Sequence, residues 1–331
     1  MSARARWLSL IAVGVVVALV FLVTGRQGPA VSVEIPTGST LPQVAEILEA
    51  HDVVGSATLF RVYVRVRRAD RELKAGTYTM RTGSSMRTAL RRLTRGEVQT
   101  LALTVPEGFQ LSQIAPRIAE ITVRTELEVM AFLSSDDLAD RYELPGPGIE
   151  GYLFPDTYRF ARGVSVTGVV DVMVGRYEAV WTPERRARLE QSGMSEGEIV
   201  TLASIIQAEA RRVDEMRRIS GVYHNRLDEG WLLQADPTVL YALGGYRARL
   251  LYAAIDSVQD SPYNTYAAPG LPPGPIGSPG ELAIDAALVP EDHDFMYFVA
   301  WPDGSHVFSN TLAEHNVARQ EARRARESNG S

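Results

Sequence analysis

At three places in the chain a short apolar–polar run leads through a glycine into residues with helical apolar spacing. Val33-Glu34-Ile35-Pro36-Thr37-Gly38-Ser39-Thr40-Leu41 runs into Gln43-Val44-Ala45-Glu46-Ile47-Leu48. Leu103-Thr104-Val105-Pro106-Glu107-Gly108-Phe109-Gln110-Leu111 runs into Gln113-Ile114-Ala115-Pro116-Arg117-Ile118, and a looser copy, Met80 to Met86, leads to Leu90 and Leu93. Each reads as strand, turn and amphipathic helix, with Thr40, Ser85 or Gln110 near the helix start. Copies without a fixed short period do not make a solenoid, so the helices are expected to bury their stripes against a small sheet. Residues 31–100 then form a small βα module.

Beyond Leu101 the pattern shifts to longer helices and Pro/Gly-rich loops, so the fold class expected is α+β, with a larger mixed domain over residues 101–325. Ser195-Glu196-Gly197-Glu198 is a capping box, S-x-x-E, and predicts a helix from about Glu196 through IVTLASIIQAEA. A second helix should end in Tyr223-His224-Asn225-Arg226-Leu227. Six of the chain's 18 prolines fall between Pro262 and Pro279, which excludes a helix or central strand there. Phe295–Trp301 and His306–Ser309 flank Pro302-Asp303-Gly304-Ser305 as a hairpin, and Thr311–Glu327 should close the chain as a polar helix.

The N-terminus breaks from this alternation. Trp7 to Val23 holds only Ser9 and Gly14 as non-hydrophobic residues, and 17 helical residues would span about 25 Å. Arg4 and Arg6 precede the run, which predicts a cytoplasmic tail over residues 1–6, a transmembrane helix over 7–24 and the remainder outside the cytoplasmic (inner) membrane. A cleaved signal peptide is the alternative, but its apolar run is ordinarily shorter and TGRQGPA lacks a good A-x-A site.

Composition narrows the chemistry. With 45% hydrophobic and 22% charged residues the chain has a globular composition, and its net charge of −6 argues against nucleic acid as a partner. Cysteine is absent, which removes thiolate catalysis, disulfides and Cys-based zinc sites. The five histidines form no H-x-x-x-H or H-x-H pair, and a G-x-S-x-G elbow is missing.

Glu209 is the position where a carboxylate meets an apolar stripe. On the helix after Ser195 the stripe is Ile199, Leu202, Ala203, Ile206, Ala210 and Val213; Glu209 falls within it towards one flank, and Glu215 points away. Desolvation would raise its pKa and make it a general acid near neutral pH. A structural pairing with Arg212 or Arg217 explains the same position. Downstream, the proline-rich loop with Tyr, Asn and Thr at one end suits sugar binding, or a purely structural polyproline connection.

Taken in order, EGYLFPDTY (150–158), LASIIQAEA (202–210), YHNRL (223–227), LQADPTVLYA (233–242), SPYNTY (261–266), GLPPGPIGSPG (270–280) and HVFSNTLAEHN (306–316) resemble the endolytic murein transglycosylases, the MltG or YceG-like family. The resemblance runs from about residue 31 to 320. It implies a single N-terminal anchor, a small LysM-like module and a catalytic domain that cleaves the β-1,4 bond between N-acetylmuramic acid and N-acetylglucosamine within glycan strands, leaving 1,6-anhydro ends without hydrolysis. Glu209 matches the catalytic glutamate. Many relatives carry Glu where this chain has Gln207, a departure expected not to touch the chemistry. Gln234, Asn264 and Tyr266 become candidates to hold N-acetyl groups or hydroxyls, and Asn225, Tyr263 and Tyr152 to line the cleft. Asp236 could stabilise oxocarbenium charge or cap a turn, and Glu150 is either a supporting acid or a solvated turn residue. No cofactor is implied. Partners would be peptidoglycan, the membrane and, as a hypothesis, wall synthases. A muramidase-type hydrolase using Glu209 and Asp236, and a non-catalytic wall-binding scaffold, remain open.

Overall fold

The computed structural model describes residues 27–245 and 252–329. The predicted transmembrane segment lies outside them, and among the described residues no helix is long and apolar enough to cross a membrane. The chain divides into two compact units. One runs to Ala102 and takes in Arg159–Val164; the other comprises Leu103–Tyr158 and Ser165 to the C-terminus.

In the first unit the order is β1 (Ala30–Ile35), α1 (Leu41–Ala50), α2 (Ala57–Val66), β2 (Gly76–Arg81) and α3 (Met86–Arg95). β1 and β2 pair antiparallel, with Val33 opposite Tyr78 and Ile35 opposite Gly76. Val33, Ile35, Tyr78 and Met80 point inward and meet Val44, Leu48, Phe60, Val64 and Leu93 from the helices. The turn chemistry is local: the Thr40 N–H donates to Gln43 Oε1 (2.8 Å), and Ser85 Oγ accepts from the Thr88 N–H (3.2 Å). Helix α2 was not in the predicted pattern. Its Val62-Tyr63-Val64-Arg65-Val66 alternates as a strand would, and only Ser56, whose Oγ accepts the Leu59 N–H, announces a helix.

The second unit holds β3 (Thr100–Val105), which pairs with β4 (Asp156–Ala161), although both strands begin or end in the first unit. Between them lie α4 (Leu111–Thr122), α5 (Glu126–Leu133) and α6 (Asp137–Arg141). After β4 come α7 (Val166–Val180), α8 (Pro183–Ser192), α9 (Glu196–Glu209), α10 (Met216–Asp228), α11 (Asp236–Ala242), α12 (Tyr252–Asp256) and α13 (Glu281–Leu288). The antiparallel hairpin β5 (Tyr297–Ala300) and β6 (His306–Ser309) and helix α14 (Leu312–Asn329) follow.

The three strand–turn–helix copies are present as β1–α1, β2–α3 and β3–α4, and a fourth that the sequence pattern had not disclosed is β4–α7. The turns place Gly38, Gly83, Gly108 and Gly163 at φ of 82°, 63°, 77° and 77°. That left-handed geometry is cheap only without a Cβ, which explains the recurring glycine.

Helix α9 is the centre of the second unit, packed on α13 and α10. The eight residues Ile199 to Ile206 are all buried. A helix apolar on every side belongs in a core rather than at a surface, so it has no single stripe as the periodicity had implied. It also stops earlier than expected. Glu209 is its last residue, Ala210 turns extended, and Val213 is 57% exposed on a short 3-10 turn, Val213–Glu215.

Candidate active site

The C-terminal end of α9 delivers Glu209 to a group of polar side chains, all in the second unit. Glu209 keeps some accessible surface, but protein encloses its carboxyl on nearly every side, and that enclosure sets the cost of charging it. Burial, helped by the nearby Asp236 carboxylate, pushes its pKa up to about 7, against the lowering influence of a Tyr223 hydrogen bond and the Arg226 charge. The negative end of the α9 dipole also disfavours the anion. Neither arginine of the structural alternative pairs with it: Arg212 bonds Asp214, and Arg217 Nε donates to the Val289 carbonyl.

The partner is Tyr223, whose hydroxyl donates to Glu209 Oε1 at 3.1 Å. Tyr223 is 1% exposed, and its ring lies edge-on to Phe298 with centroids 5.9 Å apart. One turn further along α10, Arg226 is buried and donates to the carbonyls of Met296 (2.8 Å) and Leu233. It thereby ties β5's approach and the segment before α11 to α10, and supplies a positive charge to the site. Tyr223 and Arg226 lay inside a quoted motif without being singled out; their spacing of three on one helix face was the available signal.

Asp236 is the first residue of α11. It is exposed, and the Tyr266 hydroxyl donates to its Oδ1 at 2.6 Å. Thr265 holds this corner, its Oγ1 accepting the Ala235 N–H (3.0 Å) and meeting Thr238 Oγ1 (2.9 Å). Gln234 is exposed at φ 49°, its N–H bonded to the Thr265 carbonyl (3.0 Å). The structure therefore gathers Glu209, Asp236 and Tyr266, with Gln234 beside Asp236.

The asparagines have other duties. Asn264 is buried and donates to the carbonyls of Ile255 (3.0 Å) and Val258 (3.2 Å) while accepting the Tyr266 N–H (3.0 Å), so its amide shapes the loop. Asn225 donates to the carbonyls of His293 (2.8 Å) and Phe295 (3.0 Å). It also lines a hollow of about 390 Å³ with Asp228, Glu229, Trp231, Asp294 and Met296.

A second buried acid sits along α11. Glu150 accepts the Leu111 N–H at the start of α4 (3.1 and 3.3 Å to its two oxygens) and the Tyr241 hydroxyl (3.4 Å). It is not a solvated turn residue: burial raises its pKa to about 7. Tyr241 and Tyr263 pack with ring centroids 4.8 Å apart, and both feel the Glu150 charge. Tyr241 was not foreseen; it lies five residues from Asp236, about 7–8 Å along α11. Tyr152 is fully buried and edge-on to Tyr177, its hydroxyl without a hydrogen-bond partner among the described residues, so it packs in the core rather than lining a cleft as expected.

The proline-rich loop is clasped to α9. Ser204 Oγ accepts the Ile276 N–H (3.0 Å) and Gln207 Oε1 accepts the Gly280 N–H (3.1 Å). Gln207 thus holds a backbone amide rather than facing Glu209's partners. A further buried pair, missed because Glu215 was read as pointing outward, joins Glu215 to His306: Nδ1 to Oε2 at 2.8 Å, and the His306 N–H to Oε1 at 3.1 Å. It pins the hairpin to the turn after α9. Among the described residues no group of His, Asp or Glu could hold a metal ion.

Comparison with known proteins bears on this arrangement. The model of the YceG-like family matches residues 33–321. An endolytic murein transglycosylase of Bacillus subtilis is 34% identical over 306 residues, covering 88% of this chain and 84% of the relative. One from Streptococcus pneumoniae D39 is 30% identical and covers 87% of this chain, which spans 58% of that longer protein. A 2.6 Å crystal structure of a yceG-like protein from Listeria monocytogenes superposes with a TM-score of 0.61 at 34% identity, over 87% of this chain and 98% of that one.

Proposed function

Because this chain belongs to the YceG-like family, we propose that it is a peptidoglycan lytic transglycosylase that cuts glycan strands internally, with Glu209 as its acid and then its base. The observation that carries the reading is the enclosed Glu209 carboxyl, pKa about 7, at the end of a core helix, bonded by a buried tyrosine and lying near the Asp236 carboxylate.

At neutral pH a large share of Glu209 is protonated and can donate to the glycosidic oxygen between N-acetylmuramic acid and N-acetylglucosamine. As the leaving sugar departs, positive charge develops on the muramoyl ring. The sugar's own C6 hydroxyl then attacks C1, and the Glu209 carboxylate takes that hydroxyl's proton. One glutamate serves both steps, and the product is a 1,6-anhydro end. The intramolecular attack carries a large effective-molarity advantage, so no water need be activated. Arg226 and the Tyr223 hydroxyl favour the carboxylate formed midway, while Asp236, held by Tyr266, adds negative charge where the oxocarbenium forms. Gln234 and the Tyr241–Tyr263 pair beside Glu150 offer hydrogen bonds and aromatic faces to neighbouring sugars.

Asp236 close to Glu209 also suits a muramidase-type hydrolase, which uses two carboxylates. Products separate the readings. Purified glycan digested by residues 27–331 should yield internal fragments one water lighter than hydrolytic products by mass spectrometry, and Glu209→Gln should yield none. Reducing ends would identify the hydrolase; activity surviving in the mutant would remove Glu209 from the mechanism.

The apolar run over 7–24 anchors the chain in the cytoplasmic membrane with the catalytic unit outside, close to nascent strands and their synthases. The β-α-α-β order of residues 30–81 supports the LysM-like, glycan-binding reading of the first unit. A hollow of about 330 Å³ at its β1–α1 turn, lined by Gly38, Gln43 and Glu46 among others, is a candidate sugar seat.

A further inference from the structure

Helix α2 of the first unit presents the wrong polarity to water. It buries Ala57, Phe60 and Val64 and turns Leu59, Val62 and Val66 outward, with 38%, 53% and 75% of their surface exposed. Three and four residues apart, these form one stripe, and no other described helix exposes three large apolar side chains. Arg65 lies exposed beside the stripe, and Arg67 and Arg68 follow at the helix end. None of the three has a carboxylate partner among the described residues; Arg67 instead lies 5.6 Å from the Tyr63 ring centroid. Between residues 31 and 100 the chain has eleven Lys and Arg against seven Asp and Glu, although the whole protein carries −6.

Single exposed apolar residues are ordinary, but a stripe of them edged by unpaired arginines is the form that settles at a lipid–water boundary. The aliphatic groups enter the acyl margin and the guanidinium groups meet phosphates. We infer that the outward face of α2 rests on an anionic phospholipid surface and holds the first unit against the membrane. For its reach this rests on the anchor reading. The apolar run ends at Val23 and β1 begins at Ala30, so the intervening chain spans at most about 25 Å. That tether keeps α2 near the bilayer, and its charge suits acidic headgroups.

The absence of cysteine allows a direct test on the full chain. A polarity-sensitive fluorophore is placed on Val62→Cys, or as a control on Gln191→Cys in the second unit, and the protein is reconstituted into phosphatidylcholine vesicles with or without phosphatidylglycerol and with nitroxide-labelled lipid. Flotation in neutral vesicles reports the anchor separately from the face. The expected result is quenching and a blue shift of the Val62 label in the anionic vesicles only, reversed by high salt. In Arg65→Glu/Arg67→Glu/Arg68→Glu the quenching of the Val62 label in anionic vesicles should fall by about fivefold or more, with flotation unchanged. The Gln191 label should not respond. Flotation without quenching at Val62 would overturn the inference and leave the anchor standing. Quenching equal in neutral lipid, or a blue shift that follows protein concentration without vesicles, would also overturn it, the latter indicating a second copy of the chain. Binding only to anionic vesicles would support the face and remove the anchor.

Discussion

Glu209 is subject to opposed influences that can be separated. Protonated Glu209 is the acid, so activity should fall on the alkaline side with an apparent pKa near 7. The Tyr223 hydroxyl lowers that value and the Asp236 charge raises it. Tyr223→Phe should therefore move the alkaline limb upward and Asp236→Asn should move it downward, as read from rate–pH profiles of glycan cleavage. Shifts in the same direction would mean that Glu209 is not the titrating group. The same residue couples pH to stability. Its folded pKa exceeds the ordinary glutamate value of 4.5, so the folded state holds a proton that the unfolded state releases. The associated stability is complete below about 4.5 and lost as pH rises through about 7. Glu209→Gln should stabilise the fold relative to wild type more at pH 8 than at pH 5, the difference being on the order of 1–3 kcal/mol of folding free energy by chemical denaturation. A gain independent of pH would show that the carboxyl pays no charging cost.

At the scale of elements, α9 organises the site by binding its neighbours through polar atoms on a core helix. Ser204→Ala would leave the Ile276 N–H without its acceptor and should cost about 1–3 kcal/mol in chemical denaturation. The capping box at Ser195, the glycine turns and the hairpin were legible because they are set by neighbours within a few residues. The end of α9 was not, since Ala210 and Val213 continue the apolar spacing and only packing decides that the helix stops at Glu209. Gly151 belongs here too. It sits at φ 87°, where a Cβ would lie 2.4 Å from the Pro275 Cβ. Gly151→Ala should destabilise by roughly 2–5 kcal/mol, combining left-handed strain with overpacking. A thermal shift near zero would show that the proline loop yields.

For the whole molecule, every residue placed at the site falls in the second unit, and the first offers a separate face. Cleavage of soluble glycan by residues 27–331 should therefore match that of the full chain in detergent, while action on membrane-bound nascent strands should need the N-terminal run. Product release assays on the two substrates check this. Equal rates on both would leave the apolar run without a functional role.

The amino-acid order alone determined three of the four strand–turn–helix units, the start of α9 at the Ser195 capping box, the proline-rich loop and the family, because each depends on local backbone preference or on motifs contiguous in the chain. The candidate site also depended on contacts across long separations, and only tertiary structure decided those. Tyr223 rather than an arginine meets Glu209; Asn225 and Asn264 spend their amides on backbone carbonyls; Glu150 is drawn to the start of α4; Glu215 turns inward to His306. Burial and partner choice follow from which elements pack together, and periodicity along one helix carries no information about the side chains another element brings.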